Sequence, residues 1–442
     1  MKKRKRQESL REGVDISRKR RWHSLIDKIW AMPNMEEAFK EVKRNRGAPG
    51  VDGMTIKAFE SELESNLRTL QHLLKTKTYK PRPVKRVYIP KADGSQRPLG
   101  IPTVGDRVVQ AAAKRILEPI FEETFMDCSF GFRPGRNAHM ALEKIHRDLM
   151  DGYLYVIDAD LKSYFDLIPQ DKLIQTVREE VVDGSVIKLL ERFLQSGVME
   201  DGTFHLNEQG TPQGGVISPL LANIYLHPLD KEMTRRGHRL TRYADDFVIC
   251  CKTEKGAQRV LRSVTRLLEQ ELGLIVHPEK TKIVNNKEQS FFFLGHEFKP
   301  GFWLKPTPKA IMKFKEQVKE ITRRNQTTNV EQLIKKKLNP YLRGWGNYFG
   351  RGHVKKDFEK FDAWIRRRLR MVQMRSWRKL RNLHRELRKK GWKTRELPEM
   401  RMTAWRSSRT TATHVVMPNE WFKTRGLVFL VDIYNEHHPQ RG

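Results

Sequence analysis

Two adjacent aspartates inside an apolar run constrain this chain more than any other feature. In RYADDFVICC, residues 242–251, Asp245 and Asp246 are flanked by residues that favour strand, and neither Gly nor Pro occurs in the run. Carboxylates at the edge of such a run are costly unless solvated, paired or metal-bound. Successive side chains of a strand point to opposite faces, so a tight hairpin is the economical way to bring both acids to one place. A second run, YLYVIDADLKSYFD at 153–166, carries Asp158 and Asp160, which share a face if the strand continues through both. Either acid alone reads as a strand end. Together with the adjacent pair about 85 residues later, they predict hard-oxygen ligands for divalent cations, with Asp158 or Asp160 as the partner of Asp245 and Asp246.

The charge says what such a site acts on. The chain has 442 residues with 86 Lys and Arg against 53 Asp and Glu, a net of +33, which implies a polyanionic partner such as nucleic acid rather than a membrane surface. Residues 301–442 hold +23 of this and seven of the nine tryptophans, so the carboxyl-terminal third is the expected electrostatic grip, with indole rings able to stack on bases. No stretch approaches the 18 or so apolar residues of a membrane span. A soluble, cytoplasmic and in part nucleoid-associated protein is expected. Three cysteines, two of them adjacent, predict neither disulfides nor a zinc site.

Nucleotidyl transfer needs a 3′-hydroxyl to attack an α-phosphate in line, with two Mg²⁺ about 4 Å apart on the attacking and leaving oxygens. Cations are then wanted for the triphosphate. The run IPKADGSQRPLGIP at 89–102 sets Lys91 and Arg97 either side of a glycine-containing turn, where both reach one anion.

The pattern divides the chain into four. Residues 1–21, with ten Lys or Arg, read as a basic flexible arm. Residues 22–78 read as a helical extension interrupted by NRGAPGVDG at 45–53, either a lid over bound nucleic acid or a plain interhelical turn. Residues 79–305 alternate short apolar runs with helical ones, VKRVYIP, YLYVIDADL, RYADDFVICC and FFFLGHEF being the expected strands. Residues 306–442 are helical; Phe358, Phe361, Ile365, Leu369 and Val372 form one apolar stripe, with Arg366, Arg367 and Arg370 off it.

The succession IPKADGSQRPLGIP, SFGFRPGRNAH, VIDADLKSYFD, QGTPQGGVISPLLANIYL, RYADD, HPEKTK and FFFLGHEF resembles the bacterial group II intron-encoded reverse transcriptase/maturase family, and LNPYLRGWGNYF at 338–349 resembles its thumb and maturase region. The resemblance runs from about Trp22 onward. It implies an α+β right-hand polymerase with fingers, a palm built on an antiparallel sheet, a helical thumb/maturase region and a helical amino-terminal extension. It implies that Asp160 rather than Asp158 joins Asp245 and Asp246 at two Mg²⁺ ions, Mn²⁺ being able to substitute, because the family's acid stands five residues before an aromatic gate, here Phe165. That ring would crowd a ribose 2′-hydroxyl. Lys91 and Arg97 match the fingers residues on the incoming deoxynucleoside triphosphate, Gln213 the residue beside the nascent base pair, and Lys280 a palm lysine near the pyrophosphate. The implied partners are structured intron RNA, an RNA template with a DNA primer, and target DNA, with Arg46, Arg343, Trp345, Arg366, Arg367 and Arg370 as candidate RNA contacts. No cysteine pattern of an endonuclease follows, which resembles the compact class of these enzymes. A host-adopted relative working in DNA repair, and a non-catalytic RNA-binding splicing factor, are the competing expectations.

Overall fold

The computed structural model describes residues 21–90, 96–200, 203–205, 210, 214–323 and 329–439. They form two compact units, Met1–Asn285 and Asn286–Gly442, each with its own apolar core.

The first unit holds two sheets. VKRVYIP forms strand β1, Val84–Pro90, which pairs antiparallel with β2, Gln96–Ile101. A distant hairpin, β4 (Val198–Glu200) and β5 (Thr203–His205), adds to the other edge of β1, giving the order β2-β1-β4-β5. The second sheet is antiparallel throughout. Its order is β6-β7-β3-β8, with β3 at Tyr155–Ala159, β6 at Arg239–Tyr243, β7 at Asp246–Cys251 and β8 at Lys282–Asn285. β3 and β7 are its inner strands, with Val156, Ile157, Phe247, Val248 and Ile249 all buried.

Two long helices pack within this core. The helix Val104–Glu122 begins at Thr103, whose hydroxyl oxygen accepts from Asp106 N–H at 3.2 Å and donates to the Asp106 carboxylate at 2.7 Å. The helix Ser218–Arg235 is buried on nearly every side, including Asn223, His227 and Asp230, which marks it as interior rather than amphipathic. The 45–53 loop lies on the first of these helices: Arg107 donates to the Ala48 carbonyl at 2.9 Å, and Gly50 lies so close to Thr103 that an added Cβ would stand 2.7 Å from its backbone.

The second unit opens with a three-stranded sheet in the order β11-β10-β9. FFFLGHEF, expected as one strand, is a hairpin: β9, Phe291–Phe293, and β10, His296–Lys299, pair antiparallel around Leu294 and Gly295. Both turn residues have positive φ, +48° and +73°, as a two-residue turn matching strand twist requires. β11 spans Trp303–Pro306, and helices follow, among them Pro308–Ile321, Asn339–Phe349 and Lys355–Trp377. No helix is long and apolar enough to cross a membrane among the described residues.

Candidate active site

The hairpin demanded by two adjacent acids is present. β6 and β7 pair with Tyr243 opposite Asp246, so Ala244 and Asp245 are the two turn residues, and Ala244 takes the left-handed φ of +58°. β3 pairs with β7 with Ala159 opposite Phe247. Carried one residue past the strand end, the same register sets Asp160 opposite Asp246.

Asp160 is held from the neighbouring segment. Its carbonyl accepts from His277 N–H at 2.8 Å, and its carboxylate pairs with Lys280 Nζ at 2.8 Å. HPEKTK is therefore drawn to the first acid, and Lys280 stands beside it.

The acids share one electrostatic field. Burial pushes Asp246 up to about 6, and Asp245, Asp160 and Asp158 add to the rise. Asp245 is also raised, chiefly by burial and further by Asp160, while Arg97 and Arg242 oppose the shift. Burial likewise lifts Asp158 to about 6, offset by Lys282, its partner across the β3–β8 ladder, and reinforced by Asp160. Arg97, on β2, is thus close enough to bias Asp245, bringing one of the two expected triphosphate cations to the acids. Lys91 lies outside the described residues.

Phe165 sits half-buried in the short helix Tyr164–Leu167, next to Tyr164, whose hydroxyl donates to the Ala222 carbonyl at 2.7 Å. Gln213 lies outside the described residues, but the glycines on both sides of it are placed. A Cβ on Gly210 (φ +79°) would stand 2.5 Å from the Phe165 carbonyl, and one on Gly214 (φ +111°) 2.2 Å from the Gly100 carbonyl on β2. These contacts and angles exclude a side chain at either position, Gly210 lying against the expected ribose gate and Gly214 against the β1–β2 sheet.

The candidate RNA contacts divide sharply by environment. Arg46 and Arg343 are exposed. Arg367 stacks 4.1 Å over Trp405, and Arg366 lies over Phe429. Trp345 packs among Phe314, Phe349, Phe358 and Phe361 in the second core. Arg370, read as lying off the apolar stripe, is 4% exposed and donates twice to the Met417 carbonyl, at 3.0 and 3.1 Å.

Four residues that the sequence left unremarked shape the acidic turn: Arg242, Asp230, Asn223 and Gly131. Arg242 and Asp230 are fully buried and paired, and Arg242 reaches both Asn223 and the Ala244 carbonyl. The available signal was a basic residue two before the turn of a strand whose neighbours are apolar.

Among the described residues, no three His, Cys, Asp or Glu side chains form a cage able to hold an ion unaided. The donors nevertheless fit a divalent metal ion, which one or two carboxylates can hold while substrate phosphates and water supply the rest.

Comparison with known proteins gives the setting. Residues 89–298 match the description "Reverse transcriptase (RNA-dependent DNA polymerase)", and residues 311–391 match "Group II intron, maturase-specific domain". The chain is 35% identical over 302 residues to Protein YkfC of Escherichia coli, covering 59% of this chain and 79% of that one. It is 31% identical over 327 residues to the group II intron-encoded protein LtrA of Lactococcus lactis, covering 59% of this chain and 54% of LtrA, about half its length. A third relative is the Arabidopsis thaliana nuclear intron maturase 2, mitochondrial, 33% identical over 168 residues, 29% of this chain and 23% of that one. With both domains matched in order and most of YkfC covered, the chain belongs to the group II intron reverse transcriptases with a maturase-specific domain, a family of RNA-directed DNA polymerases that act on nucleic acid and depend on divalent metal.

Proposed function

We propose that this chain extends a DNA primer on intron RNA, using Asp160, Asp245 and Asp246 as metal ligands, and that it also binds the intron RNA to assist its splicing and its movement into target DNA. The observation that carries the reading is that Asp160, one residue past β3, shares a field with Asp245 and Asp246 at the β6–β7 hairpin, with Arg97 and Lys280 close to them. When bound there, two Mg²⁺, or Mn²⁺ in their place, would stabilise the attacking and leaving oxygens of the transfer.

The remaining roles belong to the chain. Arg97, with Lys91, binds the triphosphate of the incoming deoxynucleotide and orients it by charge-assisted hydrogen bonds. Lys280 carries a proton at Nζ and can deliver it toward the pyrophosphate as that group leaves. Phe165 fills the space a ribose 2′-hydroxyl would need, and Gln213 is the residue assigned to reading the new base pair. The functional division follows the sequence pattern: an arm at 1–21, an extension at 22–78, fingers and palm at 79–305, and an RNA-binding thumb/maturase region at 306–442. Arg46, Arg343, Arg366 and Arg367 are the proposed RNA contacts, with Arg370 and Trp345 supporting the three in the second unit from within its core.

The test is primer extension with Mg²⁺ on matched RNA and DNA templates, supplied with deoxy- or ribonucleotides. Wild type should copy RNA and favour deoxynucleotides. Asp245→Ala should abolish extension while leaving intron binding largely intact; unchanged extension by that variant refutes the metal assignment.

A further inference from the structure

Beneath the turn that carries Asp245 lies a guanidinium that the transfer chemistry does not use. Arg242 and Asp230 are each 0% exposed in their side chains, and Arg242 Nε donates to Asp230 Oδ1 at 2.7 Å while Nη2 donates to Oδ2. Nη1 reaches in another direction, donating to Asn223 Oδ1 at 2.9 Å and to the Ala244 carbonyl at 2.8 Å. Asn223 passes the connection on, donating from Nδ2 to the Gly131 carbonyl at 2.8 Å. Asn223 and Asp230 are seven residues apart on the helix Ser218–Arg235, hence on one face of it.

A buried ion pair is weak evidence for stability, because the loss of hydration offsets most of its attraction and apolar residues could fill the same space. Apolar residues could not grip the carbonyl of a turn residue. Ala244 is held at φ +58°, a conformation an L-residue with a side chain rarely adopts, and it is the residue before Asp245. A planar fork with fixed donor directions suits this task, and a flexible ammonium does not.

We propose that Arg242 is a positioning residue for catalysis: braced by Asp230 and Asn223, it holds Ala244 in its left-handed conformation and thereby sets the placement of Asp245 and Asp246. The proposal rests on the reading of those two acids as metal ligands. It assigns the helix Ser218–Arg235 a part in metal affinity, although neither Asn223 nor Asp230 touches the reacting atoms.

The experiment uses the full chain with Arg242→Lys, Asn223→Ala and, as reference, Asp245→Asn. Lysine keeps a positive charge opposite Asp230 and loses the fork; Asn223→Ala leaves the ion pair whole and removes the brace. Three quantities are read: the melting temperature, Mn²⁺ affinity by electron paramagnetic resonance with an RNA–DNA duplex present, and single-turnover extension well below the melting temperature. Both variants should weaken Mn²⁺ binding about 10- to 100-fold, as loss of a residue that orients a ligand does, and slow extension at least as much. They should do so even where the melting temperature is near that of wild type. If Arg242→Lys restores wild-type metal affinity and rate, charge neutralisation is its whole role and the proposal falls. Should Arg242→Lys fail to fold, Asn223→Ala decides alone, and wild-type Mn²⁺ binding by it overturns the proposal. Unchanged Mn²⁺ affinity in Asp245→Asn instead overturns the metal reading itself; weakened affinity there, with both other variants normal, overturns only the positioning role.

Discussion

Gly131→Ala probes the same turn from its other side, by volume alone. Gly131 does not adopt a positive φ, so alanine brings no backbone strain of its own. Its Cβ would stand 2.3 Å from Ala244 N, 2.9 Å from Tyr243 C and 3.1 Å from Tyr243 Cδ1, against an ordinary contact of 3.4 Å or more. The nearest obstacles are backbone, and the strand cannot swing aside: Phe130 N–H donates to the Arg242 carbonyl and Arg242 N–H to the Cys128 carbonyl, both at 2.8 Å. Relieving the overlap therefore moves the turn, and Asp245 with it, by about 1 Å, a displacement that costs on the order of 10²-fold in rate. The overpacking should also cost about 1–3 kcal/mol, lowering the melting temperature of the Met1–Asn285 unit by roughly 2–5 °C. The assay is single-turnover primer extension about 20 °C below the variant's melting temperature, with Gly135→Ala as control. Gly135 has a φ of +69° and open space around it, so alanine there strains the backbone without displacing the acids. Gly131→Ala should lose rate and stability, Gly135→Ala stability alone. Extension by Gly131→Ala at the wild-type rate, or an equal loss in both variants, refutes the reasoning.

In the second unit, Arg370→Met should cost about 1–3 kcal/mol by orphaning the buried Met417 carbonyl, whereas exposed Arg343→Gln should leave stability within about 0.5 kcal/mol. Filter binding of intron RNA across a salt series should show the reverse order for binding, with the slope reduced by about one in Arg343→Gln; equal slopes would remove Arg343 from the interface. Asp362 supplies a pH test. Burial lifts its carboxyl to about 6, against the hydrogen bonds it accepts from Leu430 and Val431 N–H. The folded state thus binds its proton more tightly than the unfolded one. The resulting stability is complete below the ordinary aspartate value and is lost as pH rises through about 6. Denaturant melts at pH 7 and pH 5 should show wild type gaining about 1–2 kcal/mol on acidification relative to Asp362→Asn; a constant difference would mean that the hydrogen bonds, not burial, govern the group.

Much of the acid-bearing sheet was legible because its strands are short apolar runs with acids at their ends. β1 lies where VKRVYIP was expected, and the hairpin between Tyr243 and Asp246 follows from two neighbouring acids needing one side of a sheet. FFFLGHEF misled because its turn is Leu294–Gly295, and a leucine at φ +48° carries no turn signature; the apolar run continues across the reversal. Arg242 carried a signal in its place two before the turn, but not its buried partners. A basic residue beside an exposed-looking motif reads as solvated, and only the fold brings Asp230 and Asn223 beneath it. Arg370 was misplaced by the assumption that Lys355–Trp377 buries a single stripe, whereas Met417 closes over a second face of that helix.

The strand order β6-β7-β3-β8 also fixes a timetable. β3 leaves the ribosome first but is an inner strand, and its two neighbours, β7 and β8, lie roughly 90 and 125 residues later in the chain. Until they emerge, Tyr155–Ala159 is a mostly apolar segment with both hydrogen-bonding edges open, a template for pairing with another nascent chain. The acidic centre is therefore among the last parts of the first unit to be completed during synthesis, and the interval before residue 285 emerges is when this protein most needs protection from its own copies.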